Sequence, residues 1–217
     1  MNKEFIIFDF DNTLVDSLGY WKITTDKLMF EKYGLKPNPQ MPQLRRGKGN
    51  NEIADDFIKL TGLKISHKEV VDGWFDFMSK FYLTKVKMLK GAKEFLFKLK
   101  AEGKKLILVS ATEKKLLKLA LKHFEIDVFD EIFTETSLDC PKRNENFYEI
   151  VLSKLKTTAN NVFLFEDSFS SIKSAVHSKI ETVAFLHEFN KHHKKELKQM
   201  CKLVLKNYKS KKLLSLW

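Results

Sequence analysis

Arginine is nearly absent. Three residues, Arg45, Arg46 and Arg143, stand against 36 lysines, and the formal charge is +11. A basic surface can attract polyanions. Here the lysines are scattered over every segment, and base reading and bidentate phosphate contacts favour Arg. The surface therefore reads as lysine-rich and solvated, and no nucleic-acid partner is expected. Cysteine is scarce too: Cys140 and Cys201 are too few for a disulfide scaffold, so a cytoplasmic location is expected. No apolar run approaches the roughly 18–20 residues that span a bilayer, and no membrane partner is expected. The opening MNKEFIIFDFDNT carries Asp9 and Asp11 inside its first apolar stretch, so no secretory leader is expected. Repeats and low-complexity tracts are missing. What is present is 217 residues with 43% hydrophobic and 31% charged composition. That balance excludes general disorder and a fibrous repeat, and suits one ordinary domain plus a smaller module.

Short apolar runs mark strands buried on both faces. They are Lys3 to Asp11, Lys105 to Val109, Val162 to Phe165 and Thr182 to Leu186, with a weaker one at Lys202 to Leu205. Helical periodicity lies between them, at Ala92 to Ala101, Glu113 to His123, Asn146 to Leu155 and Ser171 to His177. Strands alternating with helices predict an α/β fold, a doubly wound Rossmann-like parallel sheet. Residues 16–87 break the rhythm. They hold helical patterns at Ser17 to Tyr33, Asn51 to Leu60 and Ser66 to Thr84, with Asn51 and Ser66 as N-caps, and no convincing strand. A connector with three of the four prolines, residues 37–42, interrupts them and is expected to be a stiff loop. The expected division is a core of residues 1–15 and 88–217 and an inserted all-helical cap domain, residues 16–87. The lysine-rich tail, residues 191–212, reads as a solvated surface around one last strand.

Chemistry is concentrated at strand ends. Asp9 and Asp11 leave the first strand together in DFDNTLVDS. Paired acids repel unless a cation or a shared proton compensates, so a metal site or an acid/base pair fits. An Asx-turn that only stops the strand fits equally on spacing alone. Other strand ends tip the balance. Ser110-Ala111-Thr112 offers a hydroxyl and backbone N–H groups to an anion. Glu166-Asp167 is a second acidic pair, and Lys142 and Arg143 precede a helix. Open α/β sheets place their sites at the carboxyl ends of strands. Acids on two of these ends, a hydroxyl on a third and a lysine nearby make a site for Mg²⁺ and phosphate.

These four stretches, in this order, resemble the motifs of the haloacid dehalogenase superfamily of phosphotransferases. DFDNT matches its D-x-D-x-T, ILVS its hydroxyl-ended strand, CPKRNENFY its lysine before a helix, and FLFED its acidic pair. The resemblance covers nearly the whole chain, and the helical insert looks like the cap of the phosphoglycolate phosphatase and β-phosphoglucomutase branch. It implies that Asp9 is the nucleophile and forms an aspartyl-phosphate, with Asp11 as general acid and base. It implies Mg²⁺ held by the Asp9 carboxylate, the Asp11 backbone carbonyl and the Asp167 carboxylate, with Glu166 a ligand directly or through water. Ser110 would donate to a phosphoryl oxygen, Lys142 would steady Asp9, and the Thr13 hydroxyl would brace the turn. Two departures stand out. Asn12 replaces a frequent Gly, which Asn tolerates. Lys142-Arg143-Asn144-Glu145-Asn146 replaces K-P-x-P-D. Asp11, which the dehalogenating members lack, points to phosphate chemistry.

The expected activity is Mg²⁺-dependent hydrolysis of a small phosphorylated metabolite. A sugar-phosphate phosphomutase and a noncatalytic basic binding protein are the alternatives. In the insert, Arg46 or Lys48 is expected to bind the leaving group, and Ala111 joins Ser110 and Lys142 as a substrate contact. Trp21, Phe30, Trp74, Phe75, Phe77 and Phe81 are expected to pack insert helices together. The six histidines show no zinc spacing, Cys140 reads as structural, and the sequence leaves oligomeric state open.

Overall fold

The computed structural model describes residues 3–45 and 48–216. Strand β1 (Phe5–Phe8) alternates its side chains between two apolar layers. Ile6 and Phe8 join one buried cluster, and Phe5 and Ile7 join another on the opposite face. The chain then leaves the sheet for a helical insert. It comprises α1 (Leu18–Ile23), a π-helical turn (Thr24–Leu28), α2 (Met29–Lys32), α3 (Met41–Leu44), α4 (Asn50–Thr61) and α5 (His67–Thr84). The two linkers run side by side. Asp16 N–H donates to Lys87 O at 2.9 Å and Leu89 N–H to Leu14 O at 2.8 Å.

The sheet resumes with α6 (Ala92–Ala101), β2 (Lys105–Ser110), α7 (Lys114–His123), β3 (Glu131–Thr134), α8 (Glu135–Leu138) and α9 (Phe147–Lys154). There follow a 3-10 turn (Ala159–Asn161), β4 (Val162–Glu166), α10 (Phe169–His177) and β5 (Glu181–Phe185). The last elements are a 3-10 turn (Lys191–His193), α11 (Lys194–Met200), β6 (Leu203–Leu205) and a 3-10 stretch (Lys211–Leu216). All strand pairs are parallel, in the order β3-β2-β1-β4-β5-β6. This is the Rossmann-like doubly wound arrangement that the sequence predicts. The order reverses at β1, and a crevice opens at such a switch point beyond the strand ends.

The insert carries its own apolar cluster, in which Met29, Phe30, Met41, Phe57, Val70 and Trp74 are buried. Ser66 caps α5 as expected: its hydroxyl accepts from Glu69 N–H at 3.2 Å, and Glu69 Oε2 accepts from Ser66 N–H at 2.8 Å. Three expectations need correction. Helix α4 starts at Asn50 with Gly49, not Asn51, as its N-cap. The proline connector runs into α3, because Pro42 sits in the first turn, where a missing N–H costs no helical bond. The tail is not merely solvated. It adds α11 to the strand β6, and Tyr208 is buried, with its ring against Phe8, Phe95, Phe165 and Phe185.

Candidate active site

Asp9 follows the last residue of β1, and its N–H donates to Phe165 O on β4 at 2.9 Å. The strand pairing thus carries Asp9 to the mouth of the switch-point crevice. The chain then turns sharply through Asn12, which adopts a left-handed φ of 56°. Asn accepts this conformation more readily than most residues. Its side chain ties the turn down. Asn12 Oδ1 accepts from Leu18 N–H at 3.1 Å, and Nδ2 reaches Asp167 Oδ2 at 3.5 Å. The Thr13 hydroxyl does not brace the turn: it is buried and, among the described residues, has no hydrogen-bond partner. The brace runs through the Thr13 carbonyl, which accepts from the Tyr208 hydroxyl at 3.0 Å.

Three carboxylates meet where β1 and β4 end. Oxygens of Asp9, Glu166 and Asp167 lie within 4.8 Å of one another. One ammonium enters the group. Lys142 Nζ lies 2.7 Å from Asp9 Oδ1, 2.7 Å from Glu166 Oε2 and 3.3 Å from the Val109 carbonyl. All four side chains are buried or nearly so. Burial and the neighbouring Glu166 push the Asp9 and Asp167 carboxyls well above the usual carboxylate range. Burial works to lower the Lys142 pKa, but the Asp9 and Glu166 carboxylates outweigh it and raise that pKa. One cation against three acids leaves negative charge unmatched in a low-dielectric pit. A hard divalent cation with oxygen ligands fits such a donor set. Glu166 is the least available donor, since its Oε1 already accepts from the N–H groups of Asp167 (3.0 Å) and Ser168 (2.9 Å).

The β2 end supplies the hydroxyl turn. Ser110 is buried, and its Oγ accepts from Thr112 N–H at 3.1 Å. Ala111 turns its carbonyl to the insert, where Asn50 Nδ2 donates to it at 3.2 Å. The Lys142 loop also meets the insert. Lys142 N–H donates to Glu135 Oε1 at 2.8 Å, and Arg143 pairs with Glu52 of α4 through both of its terminal nitrogens. The Glu135 carboxylate lies so close to Gly49 that a Cβ there would overlap it.

Asp11 has different company. Its Oδ1 accepts from the Ser17 hydroxyl, the Tyr82 hydroxyl and, at 3.1 Å, the Trp21 indole N–H. Its Oδ2 accepts from Thr112 Oγ1 at 2.6 Å.

A family model described as haloacid dehalogenase-like hydrolase matches residues 6–185. The chain belongs to that family. A phosphoglycolate phosphatase of Psychrobacter arcticus is 27% identical over 200 residues, which cover 88% of this chain and 86% of that one. Among solved structures, CbbY of Rhodobacter sphaeroides in complex with phosphate is similar with a TM-score of 0.80 at 15% identity, covering 94% of each chain. YfnB of Bacillus subtilis bound to magnesium is similar with a TM-score of 0.71 at 15% identity, covering 100% of this chain and 99% of that one. At these identities the likeness to the solved structures is one of fold. The protein is an enzyme, a phosphatase of the haloacid dehalogenase family.

The structure brings Asp9, Lys142, Glu166 and Asp167 of this phosphatase together. It links Asp11 to Thr112, two residues after Ser110. Lys48 pairs its ammonium with Asp56 of α4, and Arg46 lies outside the described residues. Phe30 and Trp74 pack in the apolar core of the insert as expected, with Phe77 at its margin, while Phe75 and Phe81 pack against the sheet-side cluster. Trp21 exceeds that expectation by reaching Asp11. Cys140 is buried, and burial raises its thiol pKa, as suits a structural residue.

Sequence reasoning passed over His187. Its Nε2 lies 2.8 Å from Asp167 Oδ2, and its Nδ1 accepts from Phe189 N–H at 3.1 Å. The bond at Nδ1 puts the proton of the neutral ring on Nε2, which donates to Asp167. Burial lowers the His187 pKa to about 4, so the ring stays neutral near pH 7. Asn190 completes the hold, donating from Nδ2 to Asp167 O (2.8 Å) and Phe185 O (2.7 Å). The missed signal was position: His187 lies two residues beyond β5, at the same edge of the sheet as the other strand ends.

Proposed function

We propose that this phosphatase hydrolyses a small phosphomonoester through a phosphorylated Asp9, with Mg²⁺ as cofactor. The observation that carries the reading is the buried group of three carboxylates with one lysine at the switch point, two residues from Asp11. The Asp9 and Asp167 carboxylates and the Asp11 backbone carbonyl would hold the ion, with Glu166 behind a water because its oxygens are already engaged. A divalent cation there supplies charge neutralisation to the phosphoryl oxygens.

In the first half-reaction an Asp9 oxygen attacks phosphorus. The bond to Asp9 forms as the bond to the leaving alkoxide breaks, and Asp11 gives that alkoxide its proton. In the second, water attacks phosphorus, Asp11 takes the proton it sheds, and the bond to Asp9 breaks to release inorganic phosphate. Lys142 holds Asp9 in place and offsets charge on the transferring group. Ser110 donates to a phosphoryl oxygen, with Ala111 beside it. Residues 16–87 would act as a cap over residues 1–15 and 88–217, excluding water from the first half-reaction, and the role of binding the leaving group goes to Arg46 or Lys48 of that cap. Two buried, unpaired cysteines suit a reducing cytoplasm.

Phosphate release with Mg²⁺ should be measured on a panel of glycolate, sugar and amino-alcohol phosphates. 2-Phosphoglycolate comes first, because a relative carries that name. Release from at least one member is expected. Silence on the whole panel overturns the reading. Transfer of phosphate between sugar hydroxyls would indicate a mutase, and salt-sensitive nucleic-acid binding without release would indicate a binding protein.

A further inference from the structure

Asp11 is held largely by residues that no catalytic motif contains. Tyr82 is fully buried near the end of α5, and Trp21 lies on α1. Both donate to the same oxygen, Asp11 Oδ1, and their donor atoms lie 3.2 Å from each other, so the indole N–H serves phenol and carboxylate together. Ser17, at the start of α1, is a third donor to Oδ1. An indole nitrogen can only donate. Oδ1 is therefore crowded by donors from the insert, while Oδ2, among the described residues, faces a single hydroxyl, Thr112 Oγ1, on the sheet side. A hydroxyl can donate or accept, so Oδ2 tolerates either the presence or the absence of a proton.

We propose that Trp21 and Tyr82 are positioning residues for the general acid and base: by gripping Asp11 Oδ1 they aim Oδ2 at the hydroxyl turn of β2. The inference rests on the reading of Asp11 given above and deepens it. The grip exists only where α1 and α5 lie against the β1 turn. Docking of the insert and readiness of the acid are therefore one event in this chain. A carboxylate released from Oδ1 rotates about its Cα–Cβ and Cβ–Cγ bonds and loses the orientation on which proton delivery depends.

The test uses a contrast between leaving groups. Departure of an alkoxide needs a proton, whereas p-nitrophenolate is stable enough to leave without one. The ratio kcat/KM reports the first half-reaction alone, since leaving-group departure completes it. It should be measured for Tyr82→Phe and Trp21→Phe on p-nitrophenyl phosphate and on each alkyl phosphate of the panel that the parent protein hydrolyses. The alkyl-to-aryl ratio of kcat/KM is expected to fall roughly tenfold or more in each variant, within the range set by general acid catalysis. Loss of packing alone lowers both substrate classes together and leaves the ratio unchanged. An unchanged ratio in both variants overturns the inference while the phosphatase reading stands. A parent protein silent on both substrate classes overturns the two together. Aryl phosphate turnover by each variant also reports that it folds.

Discussion

Asp9 and Asp11 stand two residues apart on one turn, yet different halves of the molecule hold them. Asp9 meets groups from the sheet core: Lys142 at its carboxylate, the β4 carbonyl at its N–H, and Glu166 and Asp167 nearby. Its surroundings are acidic and short of positive charge. Asp11 meets neutral donors instead, and Ser17, Trp21 and Tyr82 come from the insert or its threshold. The difference teaches how one short turn could serve the two tasks proposed above. A nucleophile that must bear a phosphoryl group calls for a fixed seat, one whose surplus negative charge a divalent cation would balance. A group that gives and takes protons calls for an orienting grip without a fixed countercharge.

The largest expected effect comes from breaking the Asp9 side. Asp9→Asn should lower turnover by roughly 10⁴-fold or more, the scale seen when a nucleophile is removed. It also removes one of three crowded negative charges. In chelator the variant should therefore melt at a higher temperature than the parent, and added Mg²⁺ should raise its melting temperature by less. Equal melting of the two proteins in chelator would show that the pit is not strained by charge. Thermal melts with and without Mg²⁺ decide this without any activity measurement.

A smaller effect is expected one bond further out. His187→Ala frees Asp167 Oδ2 from its shorter contact, leaving Asn12 Nδ2 at 3.5 Å and the carboxylate in place. Groups that orient a metal's ligands typically contribute 10–100-fold to metal affinity, so Mg²⁺ binding measured by calorimetry should weaken by about that factor. Unchanged affinity would mean that Asn12 at the carboxylate and Asn190 at the backbone carbonyl suffice to orient Asp167. The Asp11 side should be indifferent, so the alkyl-to-aryl ratio should not move.

The smallest effect concerns the join between the two halves. The Arg143 guanidinium hydrogen-bonded to Glu52 holds that carboxyl below its ordinary value of 4.5. A lowered carboxylate contributes stability that is fully present above its unfolded value and is lost as pH falls through the folded one. Glu52 is more than a third exposed, so solvent screens the pair. Glu52→Gln should cost about 0.2–1 kcal/mol in urea melts at pH 7. The gap between variant and parent should shrink as the pH drops below 4.5. A gap that does not shrink at all as the pH falls below 4.5 would exclude the ion pair as its source.

The sheet was largely legible in the sequence because its inner strands, β1, β2, β4 and β5, are short apolar runs closed by polar turns. Strand β3 was not, and the reason is its place at the edge. Glu131 is exposed, Ile132 and Phe133 are only half-buried, and four residues give too short a pattern. The tail, residues 191–212, misled through composition: its many lysines conceal Tyr208, buried against the core, and just beyond it Leu213 and Leu216 are buried too. In the site, Asp9 and Asp11 alone were as readable as an Asx-turn, and it was the second acidic pair, Glu166 and Asp167, with a hydroxyl turn and a lysine at neighbouring strand ends that announced the chemistry. Tyr82, Trp21 and His187 did not. An aromatic residue at helical spacing looks the same whether its polar tip is idle or bound to a carboxylate, and the partner is chosen by packing across 71 residues in the case of Tyr82.

Position 49 illustrates how far such packing reaches. One oxygen of Glu135 abuts Gly49 and the other receives the Lys142 N–H, so a single added methyl at residue 49 displaces the carboxylate that holds the backbone of Lys142, whose ammonium pairs with Asp9. A position with no chemistry of its own thereby bears on the Lys142–Asp9 pair, simply by having nothing there.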